Sequence, residues 1–359
     1  MHHGLGELLN TQPYTLDAKS KKRALDRILG ELTVFHFENC EKYRRILEAW
    51  PYDAYKSPES LSIPYLPVRL FKEFDLKSVS DENIIKTMTS SGTTGQNVSR
   101  IFLDKDTATN QTIVLGRIVS DFLGTRRLPM IIVDSSAVLR DRVMFGARGA
   151  GILGFSFFGY DKIYALDDNL VPQVDKIEAF LEKHREEKVF LFGFTFMIWK
   201  YLLKEILDSG KTLDLSNCVL VHGGGWKKLL DQQVNNNTFK SALKSAYGLL
   251  DIHNFYGMVE QTGSIYMECE QGHLHASVFS DVIIRNPKDF SVNGVNSEGL
   301  IEVLSVLPAS YPGHVLLTED RGVLLGEDDC PCGRKGKYFK VTGRIEKAEI
   351  RGCSDIYAV

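Results

Sequence analysis

Apolar residues recur every third or fourth position between Leu16 and Trp50, in KKRALDRILGEL and CEKYRRILEAW, with charges interleaved, and that spacing predicts helix. Pro51, Pro64 and Pro67 then impose extended or turning backbone. From about Asp104 two kinds of run alternate. Helical spacing over Asp106–Phe122, Gln173–Glu187, Phe196–Ser209 and Phe239–Ala246 is separated by short apolar runs at Pro129–Val133, Val189–Phe194, Cys218–His222 and Ile252–Tyr256. Short, bounded apolar runs of this kind predict buried strands. The alternation predicts an α/β fold on a doubly wound, mostly parallel sheet. Beyond Gly257 the runs VFSDVII, GLIEVLSVL and HVLLTED are broken by Gly, Pro and Asn, which predicts a smaller, antiparallel β-rich subdomain. The expected organisation is a helical N-terminal region (1–88), an α/β core (89–257), a β-rich subdomain (258–342) and a short tail (343–359). The glycine-rich aromatic stretches Gly151–Gly159 and Phe192–Met197 read equally as core or as the wall of an alkyl channel.

Composition narrows the class. Of 359 residues, 43% are hydrophobic and 25% charged, values of an ordinary globular chain. With 43 Lys+Arg against 46 Asp+Glu the net charge is -3, which offers no basic face for nucleic acid. The longest apolar run, around Val189–Trp199, is too short to span a bilayer, and the first residues carry no secretory signal pattern. The expectation is a soluble cytoplasmic protein without membrane insertion. In that compartment the six cysteines serve as thiols, nucleophiles or metal ligands.

Four segments carry candidate chemistry. Thr89-Ser90-Ser91-Gly92-Thr93-Thr94-Gly95 offers hydroxyls and unhindered backbone N–H groups to phosphate oxygens, although as composition it reads equally as a polar turn. It lacks the Walker lysine pattern. His222-Gly223-Gly224-Gly225-Trp226 follows an apolar strand, where open parallel sheets bind ligands and bare backbone accepts a flat ring. Tyr256-Gly257-Met258-Val259-Glu260 ends another strand and supplies an aromatic ring and a carboxylate, an oxygen donor that suits Mg²⁺. Asp320, with Glu319 before it, suits a ribose diol, and Gly343-Arg344-Ile345-Glu346 supplies a guanidinium for phosphate or carboxylate. Separately, Cys269 and His275 with Cys330 and Cys332 form three sulfurs and one imidazole, a donor set for tetrahedral Zn²⁺, with His273 as an alternative fourth ligand.

In their order and spacing, the four segments together resemble the adenylate-forming superfamily. The resemblance implies that Thr89, Ser90, Ser91, Gly92, Thr93, Thr94 and Gly95 hold ATP phosphates, and that Gly224 and Gly225 pack on adenine. It implies that Tyr256 and Gly257 flank the nucleotide, Glu260 holds Mg²⁺, Asp320 binds ribose, and Arg344 with Glu346 forms a hinge. Two positions depart from the superfamily pattern: no lysine follows the phosphate loop, where Arg100 is the candidate substitute, and Glu319 stands where glycine is usual. Only 13 residues follow Glu346, so the mobile C-terminal domain of the superfamily is expected to be truncated or absent.

Together with HGGGWKK and CPCGRKGKYFKVTGR…RGCSD, this narrows the resemblance to LuxE-type acyl-protein synthetases. That family implies ATP-dependent activation of a fatty acid, self-acylation on a cysteine, here Cys353, and delivery to a partner fatty-acid reductase. Two other readings remain open at this level. One is a phenylacetate-style acyl- or aryl-CoA ligase, and the other a nucleotide- or acyl-binding subunit without catalysis.

Overall fold

A computed structural model describes residues 3–56, 59–90, 98–140 and 146–345. Among these the strands are β1 (Leu66–Pro67), β2 (Lys86–Thr89), β3 (Arg100–Leu103), β4 (Leu128–Ser135), β5 (Gly159–Leu166), β6 (Val189–Phe194), β7 (Cys218–Gly223), β8 (Asp251–Tyr256), β9 (Tyr266–Glu268), β10 (Leu274–His275), β11 (Ser280–Arg285), β12 (Glu298–Ser305), β13 (Val315–Glu327) and β14 (Lys337–Arg344). They fall into two compact units, the first of them discontinuous in sequence. The first takes described residues up to 90, 98–121 and 257–345, and the second takes 122–140 and 146–256.

The second unit is the parallel one. Its strands lie in the order β8-β7-β6-β4-β5, all parallel, with Val189 opposite Cys218 and Val219 opposite Asp251. Every residue of β6 and of β7 is buried. Strands covered on both faces need no polar alternation, which is why they read as uniform apolar runs. Helices cap in the expected way. Asn235 accepts from the Thr238 N–H at 2.9 Å to start Asn236–Tyr247, and Gly248 ends it at φ 67°. The segment after β6 is helical as expected, but Ile198–Glu205 winds as π-helix, which no side-chain spacing announces. The glycine-rich stretch expected as core or channel is the helix Gly146–Ser156 followed by β5. A Cβ on Gly151 would meet the Phe194 ring at 3.0 Å and one on Gly159 the Met130 side chain at 2.5 Å, so these glycine faces are filled by packing.

The first unit is antiparallel, in the order β11-β12-β13-β14-β10-β9, with β1 parallel to β13 and a separate β2–β3 hairpin. The helix Ala18–Asn39 starts at Asp17, whose carboxylate accepts from Ser20 N–H at 2.8 Å, and buries Leu25, Ile28, Leu29 and Leu32. This unit holds its charges inside. Asp281 receives Lys21 at 3.3 Å and Lys337 at 2.7 Å, and Arg285 pairs with the fully buried Glu302. No helix among the described residues is long and apolar enough to cross a membrane.

Candidate functional site

The phosphate-loop candidate begins on β2. Thr89 pairs with Arg100 of β3, Ser90 N–H donates to Ser99 O at 3.1 Å, and Ser99 N–H donates to Ser90 Oγ at 2.9 Å. These bonds close the ends of the segment. Ser91, Gly92, Thr93, Thr94 and Gly95 lie outside the described residues. Arg100 is ion-paired with Asp75 at 2.7 Å.

In the parallel unit the chain leaves β4 for β5 on one side and returns to β6 on the other. Such a switch point opens a crevice at the strands' carboxyl ends. Around that edge the structure gathers Ser135 and the fully buried pair Asp134–Arg148 (3.0 Å) from β4 and its following helix, Thr195 after β6, and the glycine turn after β7. Thr195 Oγ1 lies 3.2 Å from the Gly223 carbonyl and 2.9 Å from His222 Nδ1, tying the strand end to the glycine turn. Burial holds His222 neutral, down to about 3, and its ring packs 4.6 Å from Phe239. That environment fits a strand cap. Trp226 is buried against Trp199 at 5.4 Å and anchors the turn. Gly223 abuts the Phe255 ring, Gly224 turns at φ 79° against Phe194, and Gly225 is exposed with nothing within 4 Å of where its Cβ would be. Gly224 and Gly225 are both exposed, and at Gly225 the space where a Cβ would stand is open as well. Tyr256 stands at the end of the neighbouring β8. The side chains of Lys227 and Lys228 lie outside what is described.

In the antiparallel unit, Gly257 packs on Ile265, and Glu260 is buried in the turn Val259–Gln261. That turn is held rigidly. Tyr311 donates to the Glu260 carbonyl at 2.9 Å, and Gln261 Nε2 donates to Gly313 O at 2.8 Å and Val303 O at 3.1 Å. Asp320 and Arg344 face each other across β13 and β14, with Arg344 Nε 3.0 Å from Asp320. The sequence offers Glu319 only as a departure from pattern, yet its carboxylate is a second partner of Arg344 at 3.3 Å. Glu346 and Cys353 lie outside the described residues.

Cys269, His275, Cys330 and Cys332 do come together, with donor atoms all within 4.8 Å of one another. Cys269 and Cys330 are 3.9 Å apart, and Cys332 is 3.4 Å from His275 Nε2. His273 Nδ1 lies 3.4 Å from Cys330, and both imidazoles stack on Tyr338. Burial pushes the Cys330 thiol up to about 12 and His275 down to about 4. The donor set and its closeness fit Zn²⁺. A bound cation would reverse that thiol shift, since a coordinating thiol is deprotonated.

The sequence pattern gives no sign of Asp134–Arg148 or Thr195. The first is two charges fourteen residues apart that look like surface, and the second is a hydroxyl at a strand end.

The family model described as acyl-protein synthetase, LuxE, matches residues 5–358. A long-chain-fatty-acid–luciferin-component ligase of Vibrio harveyi is 21% identical over 95% of this chain and 89% of its own length. One of Aliivibrio fischeri is 20% identical over 96% and 90%. In fold, a 2-hydroxyisobutyryl-CoA ligase crystallised with 2-HIB-AMP and CoA superimposes with TM-score 0.70 at 15% identity, covering 93% of this chain and 77% of that one. The architecture is that of an adenylate-forming ligase. Matched over nearly its whole length, the chain belongs to the LuxE family of acyl-protein synthetases and with it to the AMP-forming acid–thiol ligases.

Proposed function

We propose that the protein activates a long-chain fatty acid with ATP and passes the acyl group to the thiol of its own Cys353, from which a fatty-acid reductase takes it. The observation that carries the reading is the family match over residues 5–358; the long-chain fatty acid for which the two bacterial relatives are named supports the acid. The cytoplasm is the compartment this chemistry needs, because Cys353 must stay reduced.

In the first step a carboxylate oxygen of the acid attacks the α-phosphorus of ATP. The P–O bond to pyrophosphate breaks, and acyl-AMP forms. In the second the Cys353 thiolate attacks the acyl carbon, the C–O bond to AMP breaks, and a thioester remains. The residues Thr89–Gly95 hold the phosphates through hydroxyl and N–H donors. Adenine lies on Gly224 and Gly225, and the open face of Gly225 supports this. Tyr256 flanks the ring, with Gly257 beside it leaving room. Asp320 accepts from the ribose hydroxyls. Arg344, already held by two carboxylates, steadies the adenylate. Glu260 holds Mg²⁺, whose charge offsets that of the phosphates. Zn²⁺ on Cys269, His275, Cys330 and Cys332 is structural, because four protein ligands leave no open position.

The test is intact-protein mass spectrometry after incubation with ATP, Mg²⁺ and fatty acids of several lengths. One acyl mass is expected on the wild type, released by hydroxylamine and absent from Cys353→Ser. Acyl groups found only on added CoA, with Cys353→Ser fully active, would overturn self-acylation in favour of a CoA ligase.

A further inference from the structure

The cysteine–histidine cluster lies at one end of a hairpin whose other end carries Asp320 and Arg344. Cys330 and Cys332 occupy the connection between β13 and β14, and Asp320 pairs with Arg344 seven residues up the ladder from Lys337. At about 3.3 Å per residue that is about 23 Å of strand. The ladder between these ends defines its own register poorly. It shifts twice, between Arg321 and Gly322 and between Leu324 and Gly326. Each such irregularity leaves a residue unpaired and locally disrupts the ladder, and a strand exposed on both faces specifies its register weakly. Packing does not compensate along β14. Tyr338 and Phe339 are buried, whereas Lys340, Val341, Thr342 and Gly343 are exposed. The second neighbour, β10, reaches only Tyr338 and Phe339. Among the described residues, the strand pairing of β14 beyond Phe339 is with β13.

The cluster acts where this register is set. His275 belongs to β10 and is paired with Tyr338, the second residue of β14. Cys269 closes the turn after β9, and Cys330 and Cys332 fix the hairpin connection. We propose that Zn²⁺ on Cys269, His275, Cys330 and Cys332 is a register clamp. By tying β10, the turn after β9 and the β13–β14 connection to one point, it sets the pairing of Asp320 with Arg344, and through that pair it controls nucleotide binding. The proposal rests on the zinc assignment made above. His273 is a positioning residue in this arrangement: its Nδ1 lies 3.4 Å from Cys330 Sγ, in reach to donate to a thiolate there, and it shares the Tyr338 ring with His275. One corner of the cluster is reachable. Cys332 is half-buried and lines a polar cavity of about 430 Å³ with Tyr14, Thr15, Asp121, Glu270 and Arg334. With zinc bound, Cys332 would be the ligand a chelator reaches first, its own donor replacing the sulfur and the released thiolate taking a proton from water.

The experiment starts from folded full-length protein. Zinc content is measured first, with about one ion per chain expected from the donor count. The metal is then withdrawn with 1,10-phenanthroline, and amide hydrogen exchange and AMP affinity are followed before and after zinc is restored. Removal is expected to speed exchange along β13 and β14 as far as Asp320 and Arg344. AMP should bind about tenfold more weakly if the paired state falls to a tenth of its population, and zinc should restore both. Cys332→Ser should show the same changes at lower chelator concentration. Exchange that changes only around residues 328–336, or AMP affinity that is unchanged while the metal is gone, would overturn the clamp. So would protein that holds no zinc. If AMP binds neither form, the acyl-activation reading fails instead, and the exchange along β13 and β14 still decides the clamp.

Discussion

The two units bury polar groups to opposite ends. In the parallel unit, β6 is apolar throughout and β7 as far as Val221, and the buried ion pair Asp134–Arg148 and the neutral His222 gather at the strands' carboxyl edge. Two other buried imidazoles, His184 and His253, are each met by a carboxylate, Asp161 at 2.7 Å and Asp251 at 2.8 Å. In the antiparallel unit the buried polar groups are fasteners within the sheet and its helix: Arg285–Glu302, Lys21–Asp281–Lys337, and the cysteine cluster. There His36 is bonded at both ring nitrogens, to Ser78 and to Pro308 O. A buried charge therefore carries different information in each unit. In the parallel one, whose core is complete without it, it marks the crevice. In the antiparallel one the ion pairs within the sheet and its helix are construction, and a site candidate has to be sought apart from them, as at the buried Glu260.

The largest effect should come from breaking a fastener. Glu302→Ala leaves Arg285 buried without its carboxylate and should cost about 3–5 kcal/mol in urea unfolding. Replacing the pair with apolar residues of similar size, Arg285→Met with Glu302→Leu, should return most of that loss, since such swaps are often neutral. Acid-dependent ATP–pyrophosphate exchange should be unchanged in the double variant. The matching change in the parallel unit, Asp134→Leu with Arg148→Met, should also fold. It should lose about a hundredfold in exchange if the pair lines the reacting crevice, the size expected for displaced substrate contacts. Full activity there would erase the contrast between the units.

What the sequence made legible follows the same division. Buried parallel strands are short apolar runs, so β6 is readable at both ends and β7 and β8 to within a residue. β5 is not, because three of its residues, Tyr160, Asp161 and Lys162, are exposed and the preceding helix is rich in glycine. The cluster of Cys269, His275, Cys330 and Cys332 is legible because soft-metal chemistry restricts both residue type and spacing. Asp320 and Arg344 are legible as motif residues, but their pairing is a fact of β register that sequence distance does not encode. Asp134–Arg148 and Arg285–Glu302 leave no trace, since charged residues in a sequence look solvated until a fold encloses them.

Acid should act on both units alike, by a smaller amount per step. His222 in the parallel unit and His314 in the antiparallel one are each held down to about 3 by burial, against an ordinary value of 6.5. Between those values the unfolded chain binds the proton and the folded chain does not. Stability should therefore fall as pH drops below about 6.5, by up to about 1.4 kcal/mol per pH unit for each ring, with no contribution above it. Urea midpoints from pH 7.5 to 5 should show this slope. His222→Asn and His314→Asn should each flatten it by one proton, even where they lower overall stability. A slope that neither variant changes would mean that these rings are protonated in the folded protein.

The smallest effect on folding is expected at the glycine turn, and it bears most directly on function. Gly224 sits at φ 79°, where an alanine is strained by about 1 kcal/mol, and its added Cβ would meet Phe194 at 3.2 Å. Gly224→Ala should therefore lower the unfolding midpoint measurably. Gly225 has no such backbone demand and open space beside it, so Gly225→Ala should stay within about 0.5 kcal/mol of wild type. If a flat ring lies on that bare backbone, Gly225→Leu should weaken AMP binding strongly, and Gly225→Ala less so. The two neighbouring glycines then separate, Gly224 required by the turn itself as well as by the ligand and Gly225 by the ligand. If Gly225→Leu binds AMP as tightly as wild type, no ring rests there. The polar groups at the parallel unit's edge would then be construction too, and the difference drawn between the units would fail where it matters for function.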